Sequence, residues 1–301
     1  MLRQGRFIAI PGGPDNRFDH GAFEPASGRI FLAHTSAGGV AVLDHAAGRH
    51  ERTLAGFPEA AGVAAAGGAV LVSNRGGASV TAIDARTLAI GGSYPTAARP
   101  NGIALAPRRR LAIAACLGDE SQAPALQAID LERGAMETLA LPGSPRWCVV
   151  DRAEARVYCA IQRPSQVLAV RLDGFATESC WELPVDGAHG LDLDERGERL
   201  FVACDAGELV DLSVVDGSVH GRWPLPGPPD VTFFNPSSGL VHVAVKAPGV
   251  VVTIDPATGV RWSTETEARA GTTAIVPPDR LYVFMPQRGG ALELIEGRSA
   301  A

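Results

Sequence analysis

Apolar residues along this chain come in short stretches of alternating or continuous pattern, cut by Gly, Asp, Asn and Pro, with no sustained run at helical spacing. Residues 190–223 show the pattern well. Gly190 to Leu193 read as one strand, Leu200 to Ala203 as a second, Leu209 to Val215 as a third and Val219 to Trp223 as a fourth, with Asp194 to Gly197 as the first turn. Runs this short, bounded by turn residues, are strand signals, because a helix needs a longer stretch at 3.6 spacing. No convincing helix is found.

The pattern then repeats. A strand ending in an acidic residue recurs as VAVLD (Asp44), VTAID (Asp84), LQAID (Asp130), AVRLD (Asp173), LSVVD (Asp216), VVTID (Asp255) and ELIE (Glu296), at intervals of 40, 46, 43, 43, 39 and 41 residues. A period of about 40 to 45 residues is that of a four-stranded propeller blade. The last repeat supplies only three strands, Thr273 to Val276, Leu281 to Phe284 and Ala291 to Ile295. Arg6 to Ile10 stands just before the first repeat, where a fourth strand belongs. Pairing it into the last blade closes the ring and removes an exposed sheet edge. The expectation is therefore all-β: a seven-bladed β-propeller of four-stranded blades, one domain over residues 1–301, its last blade closed by the N-terminal strand.

Composition narrows the partners. With 35 Gly and 22 Pro the chain suits a fold of many tight turns, and its net charge of −6 gives no electrostatic reason to bind phosphate backbones or anionic lipid. Neither nucleic acid nor a membrane is expected. The one basic run, Arg108-Arg109-Arg110, lies between two strand patterns and reads as a solvated hairpin turn. No stretch approaches the roughly 18 apolar residues of a membrane span. The apolar residues near the start, Phe7 to Ile10, end at Pro11, too short for the core of a signal peptide. The cysteines, Cys116, Cys148, Cys159, Cys180 and Cys204, are odd in number and include no C-x-x-C pair, which places the chain in a reducing cytoplasm.

The wording of the repeats, FLAHTSAGGVAVLD, VLVSNRGGASVTAID and LFVACDAGELVDLSVVD, resembles that of the bacterial YVTN-type repeat propellers, including YncE-like proteins, along the whole chain. That resemblance implies the propeller fold and allows either a catalytic or a binding role, since fold does not imply function.

In a four-stranded blade the loops from the outer strand to the next inner strand, and from the second strand to the third, emerge on one face around the channel. Aligning the first residue of each inner strand gives His20, Ala61, Asn101, Arg146, His189, Asp230 and Thr272. The second-to-third-strand loops add His34, Asn74, Arg75, Gln162, Arg163, Asp205, Lys246, Gln287 and Arg288. Lys246 is the only lysine among 27 basic residues, which singles it out. His45, His50, His220 and His242 fall on turns or outer strands. The third repeat carries extra length at Gly118 to Pro124, polar and bounded by Gly and Pro, which reads as a mobile rim or lid.

His20 and His189 lie on nearly opposite blades, so inward-facing imidazoles would share a metal or bracket a substrate, with Asp230 as a third ligand. Arg99-Pro100-Asn101-Gly102 resembles the RPN segment of the gluconolactonase and senescence-marker-protein propellers, where an Asn near the metal helps bind substrate. That family's metal ligands are a Glu, an Asn and an Asp at inner-strand starts. The nearest positions here hold His20, Arg146 and His189, which favours one divalent ion of the Zn²⁺ type over Ca²⁺.

Two functions follow. In the first, the protein is a cytosolic enzyme of the lactone or ester hydrolase or lyase type, acting on a small polar or anionic molecule. His20 and His189 then serve as acid, base or metal ligands, Arg146 holds an oxyanion, and Asn101, Asp230, His34, Arg75 and Lys246 bind the ligand. In the second, the same face binds a small molecule or a protein partner without turnover.

Overall fold

The computed structural model describes residues 1–12 and 16–297. Among the described residues, twenty-eight strands, numbered β1 to β28 in chain order, form seven four-stranded antiparallel sheets. These are the seven blades. The inner strands are β2 (Phe18–Glu24), β6 (Ala60–Ala66), β10 (Pro100–Ala106), β14 (Pro145–Val150), β18 (Ala188–Asp194), β22 (Pro229–Asn235) and β26 (Thr272–Val276). Each packs against the inner strands of its two neighbours, around the ring and back from β26 to β2.

Blade 7 is β26, β27 (Arg280–Met285), β28 (Gly290–Glu296) and, as its outer strand, β1 (Leu2–Ala9). The closing strand begins four residues earlier than the apolar run suggested, because Leu2 is also buried and pairs with Glu296. A bulge between Gln4 and Phe7 breaks the alternation, so that Leu2 packs toward blade 6 and Ile8 toward blade 1.

The recurrent acidic residue has a local cause. At the end of the third strand the Asp carboxylate turns back to accept backbone N–H groups of the following turn: Asp84 from Thr87 at 2.6 Å, Asp130 from Glu132 at 2.8 Å, Asp255 from Ala257 at 2.9 Å. Side chains that mimic a backbone turn in this way stabilise a tight reversal. Glu296, in the seventh repeat, does something else. It is buried and accepts from His242 Nε2 at 2.8 Å and from Asn235, clamping blade 6 to blade 7. His242 is thus not on an outer strand but in the second strand of its blade, β23 (Leu240–Val245).

The core lies between blades, where second and third strands are apolar on both faces. Phe31, Val40, Val70 and Val72 pack together between blades 1 and 2, and Phe201, Leu209, Val241 and Val252 between blades 5 and 6. Outer strands alternate exposed and half-buried positions, as in Val219–Pro224. Arg108, Arg109 and Arg110 occupy a surface turn and pair with Glu154, Asp173 and Glu132. Cys116, Cys148, Cys159 and Cys204 are buried, and burial pushes the Cys116 and Cys204 thiols up to about 12, so these two are inert packing residues. No helix among the described residues is long and apolar enough to cross a membrane.

Candidate functional site

Six of the inner strands start with a bulge next to their second strand, between Phe18 and Gly21, Ala60 and Val63, Pro100 and Ile103, Pro145 and Cys148, Ala188 and Gly190, and Pro229 and Thr232. The bulge fixes which residue stands at the rim. Counting from the pair that precedes it, the rim set is Asp19, Ala61, Asn101, Arg146, His189 and Asp230. β26 pairs with β27 without a shift, and Gly271 precedes it at the rim. The sequence alignment is therefore one residue late in blades 1 and 7. His20 sits one position deeper, level with Trp147, and Thr272 likewise. A one-residue slip matters because it moves a side chain to another face.

The rim residues join in a chain of hydrogen bonds running through six blades. Asp19 accepts from Arg75, which donates through Nε to Asn101 Oδ1 at 3.0 Å. Asn101 Nδ2 donates to the Arg146 carbonyl at 2.8 Å, and Arg146 Nη2 donates to Gln162 Oε1 at 2.8 Å. Gln162 Nε2 reaches Asp205 at 2.5 Å, and Asp205 holds His189 Nδ1 at 2.7 Å. His189 Nε2 faces Asp230 Oδ1 at 3.3 Å, while Asp230 Oδ2 takes Lys246 Nζ at 2.6 Å. Gly271 makes the last contact possible: a Cβ there would stand 2.5 Å from Lys246 Cε and 2.7 Å from Asp230 Oδ2.

Two imidazoles in this ring are each oriented by a carboxylate. His20 Nδ1 lies 2.5 Å from Asp19 Oδ1, and His189 Nδ1 is held by Asp205. Such a partner selects the Nδ1–H tautomer, which leaves Nε2 of His20 as the nitrogen able to react, while Nε2 of His189 faces Asp230. Burial alone would depress the His189 imidazolium, but the bonds to Asp205 and Asp230 outweigh it and raise its pKa above the ordinary 6.5. Burial would raise Asp230, yet the His189 bond and the Lys246 charge hold its carboxyl far below the usual range. Asp19 and Asp205 are lowered in the same way by His20 and His189 against the opposing effect of burial. Burial also lowers Arg146, whose Nε has no partner among the described residues.

His20 stacks on Trp147 with ring centroids 3.9 Å apart and planes 8° from parallel. Blades 1 and 4 are not neighbours, so this contact spans the channel axis and partitions it. On the rim side is a polar cavity of about 260 Å³ whose walls carry Arg17, Arg75, Lys246 and Arg269 against Asp19 and Asp230. A second, of about 410 Å³, lies beside Gln162, Arg163 and Asp205, with His189 bridging the wall between the two through its bonds to Asp205 and Asp230. A larger cavity, about 640 Å³, is on the other side of the stack, at the far ends of the inner strands.

Of the residues expected at the site, His20, Arg75, Asn101, Arg146, His189, Asp230 and Lys246 are brought together. His34 is not. It is fully buried at the end of β3 (Arg29–His34), bonded to Asn16 Oδ1 at 2.9 Å and tilted against the Phe18 ring 4.9 Å away. Burial lowers its pKa, as for a packing imidazole. The metal expectation also fits poorly. Among the described residues no three His, Cys, Asp or Glu side chains are grouped to hold an ion, because Asp230 is committed to Lys246 and His20 turns toward Trp147. The segment Gly118 to Pro124 is on the rim face but is pinned there: Asp119 accepts from Ser121 and Gln122 N–H, and Gln122 Oε1 accepts from Ala98 N at 2.9 Å. Sequence reasoning left out Asp19 and Trp147. Only the bulge register, invisible in a period-2 pattern, would have placed them.

No family model matches this chain, and no curated protein matches it either. The YVTN-type resemblance thus stays at the level of repeat wording. Solved structures do match over nearly the full length. Hydrazine synthase from Kuenenia stuttgartiensis superposes with a TM-score of 0.83 at 14% identity, covering 96% of this chain and 97% of that one. A streptogramin B lyase gives 0.81 at 11% identity, over 98% and 97%. Virginiamycin B lyase from Staphylococcus aureus gives 0.83 at 9% identity, over 99% and 100%. The chain has their fold. At such identities the likeness speaks for the seven-bladed ring and no further.

Proposed function

We propose that this propeller is a small-molecule enzyme that moves protons on an anionic substrate, of the lyase type, at the rim of its channel. The observation that carries the reading is the pair of carboxylate-oriented imidazoles, His189 with Asp205 at the rim and His20 with Asp19 one position below it. A chain of net charge −6 places four cations against two carboxylates around its polar cavity, which suits an anionic ligand. Two of the structural neighbours are lyases, and one solved form is a catalytically inactive His-to-Ala variant of virginiamycin B lyase with quinupristin, so the same fold supports this class.

In an elimination on an ester, His20 Nε2 takes the proton from carbon, the freed electron pair forms the C=C bond, and the C–O bond breaks toward a departing carboxylate. Arg146, Lys246 and the positive charge of the His189 imidazolium stabilise the charge that develops on that carboxylate. The donor set favours this metal-free acid–base route over metal-assisted hydrolysis. A second reading, ligand binding without turnover, is favoured by the saturation of the ring, in which nearly every charge already has a partner.

The test is product mass. Protein is incubated with quinupristin and with small lactones of hydroxy acids, and products are read by mass spectrometry. Elimination gives an isomer of unchanged mass, absent with His189→Gln and with His20→Phe, which keeps the stack on Trp147. A product heavier by one water means hydrolysis. Anion binding with no product in any case establishes the second reading.

A further inference from the structure

The cavity on the far side of the His20–Trp147 stack is larger than either polar cavity and has the opposite character. It is lined by the inner strands of all seven blades, through residues such as Ala64, Ile103, Trp147, Val149 and Phe233, and holds about 640 Å³, within the range of small-molecule sites. One charged side chain lines it: Asp192. Asp192 pairs with Phe201, opposite the third residue of its blade's second strand. At that register the other blades carry Ala22, Ala64, Ala104, Val149, Phe233 and Ala274. A ring that is apolar six times and acidic once is not explained by packing.

Asp192 accepts two backbone N–H groups, Leu193 at 2.9 Å and Phe234 at 2.8 Å, and no cationic side chain among the described residues pairs with it. A carboxylate in an apolar setting without a countercharge is costly, and burial pushes Asp192 up to about 6. The charged groups on adjacent strands are engaged elsewhere. Arg146 and Asp230 stand at the rim ends of β14 and β22, Arg199 pairs with Asp211, and Arg156 pairs with Glu178. Cys148, the other titratable group of the lining, is raised well above the neutral range by burial.

We propose that this cavity is a second ligand site, separate from the rim, that takes a hydrophobic amine, with its ammonium paired to Asp192 and its apolar body among the inner strands. An ammonium supplies the missing countercharge and can use the indole face of Trp147 at the closed end. No other charge competes for it.

The experiment uses n-octylamine as the probe, with 1-octanol and octanoate as neutral and anionic controls of equal length, followed by calorimetry on the whole chain. Octylammonium should bind about tenfold or more tighter than octanol, as for a charge-assisted contact out of water, and octanoate weakest. Asp192→Asn should erase the preference and leave octanol binding unchanged. Affinity for the amine should be full above pH 6 and fall as pH drops through it, since binding needs the ionised carboxylate. Should the variant fold poorly, carbon NMR of wild-type Asp192 decides: saturating octylamine lowers its pKa if the pair forms. Equal affinity for amine and alcohol, a preference that survives in Asp192→Asn, or an Asp192 pKa unmoved by the amine overturns the proposal.

Discussion

Closure by β1 is the joint on which the ring depends, and Ile8 measures it. Ile8 is 2% exposed and packs with Ile10, Ile30, Tyr282 and Ala291 between blades 7 and 1. Ile8→Ala removes three buried carbons and leaves a void that six aligned residue pairs between β1 and β28 hold open. Truncations of this kind cost about 2 to 5 kcal/mol, set by how far the site can collapse. For a domain of this size that lowers Tm by roughly 3 to 8 °C. Ile90→Ala is the internal control, being half exposed on the outer strand of blade 2, where changes stay within about 0.5 kcal/mol. Deleting residues 1–10 is the limiting case: it strips the edge of β28 and should give a protein that melts earlier still and self-associates. Calorimetric melts and size-exclusion profiles of the three variants and wild type are the assay. If Ile8→Ala melts with Ile90→Ala, or the truncated chain stays monomeric at the wild-type Tm, closure by β1 does not stabilise the ring and the argument fails.

Other outcomes follow from single contacts. Gly62→Ala places a Cβ 2.2 Å from the Asn101 carbonyl, backbone against side chain with no flexible end to yield, so its cost should reach or pass about 3 kcal/mol in a urea melt. Gly271→Ala meets only the movable Lys246 and the Asp230 carboxylate; the fold should survive while the Lys246 pair opens, seen as weakened binding of small anions such as citrate. Two groups should shape stability against pH in separate windows. The pKa of Asp192 is raised from 3.8 to about 6, so its contribution is greatest below 3.8 and is lost as pH rises through 6; this loss should be missing in Asp192→Asn. His189, raised above 6.5, contributes fully below 6.5 and loses that stability as pH climbs through its folded value; His189→Gln should flatten the Tm profile there.

What the sequence determined by itself was whatever is local and repeated. A strand of apolar residues closed by a turn-forming Asp reads the same way in each of six repeats, and in five of them the carboxylate bonds N–H groups of its own turn, Asp173 pairing with Arg109 instead. Seven such units with three strands at one end and one at the other leave a single economical closure. The pool of site residues was legible too, since channel rims must be polar and the loops that form them can be counted. The tertiary structure decided the rest. Bulges of one residue leave no mark on an alternating pattern, and one of them exchanged Asp19 for His20 at the rim while sending His20 across the axis to Trp147. Whether a loop histidine meets solvent or is sealed, as His34 is under Asn16, depends on a segment joined from the other side of the blade. The link between Asp205, His189, Asp230 and Lys246, and the isolation of Asp192 among apolar neighbours, come from strands of different blades facing one another around the axis, at separations along the chain that no local pattern encodes.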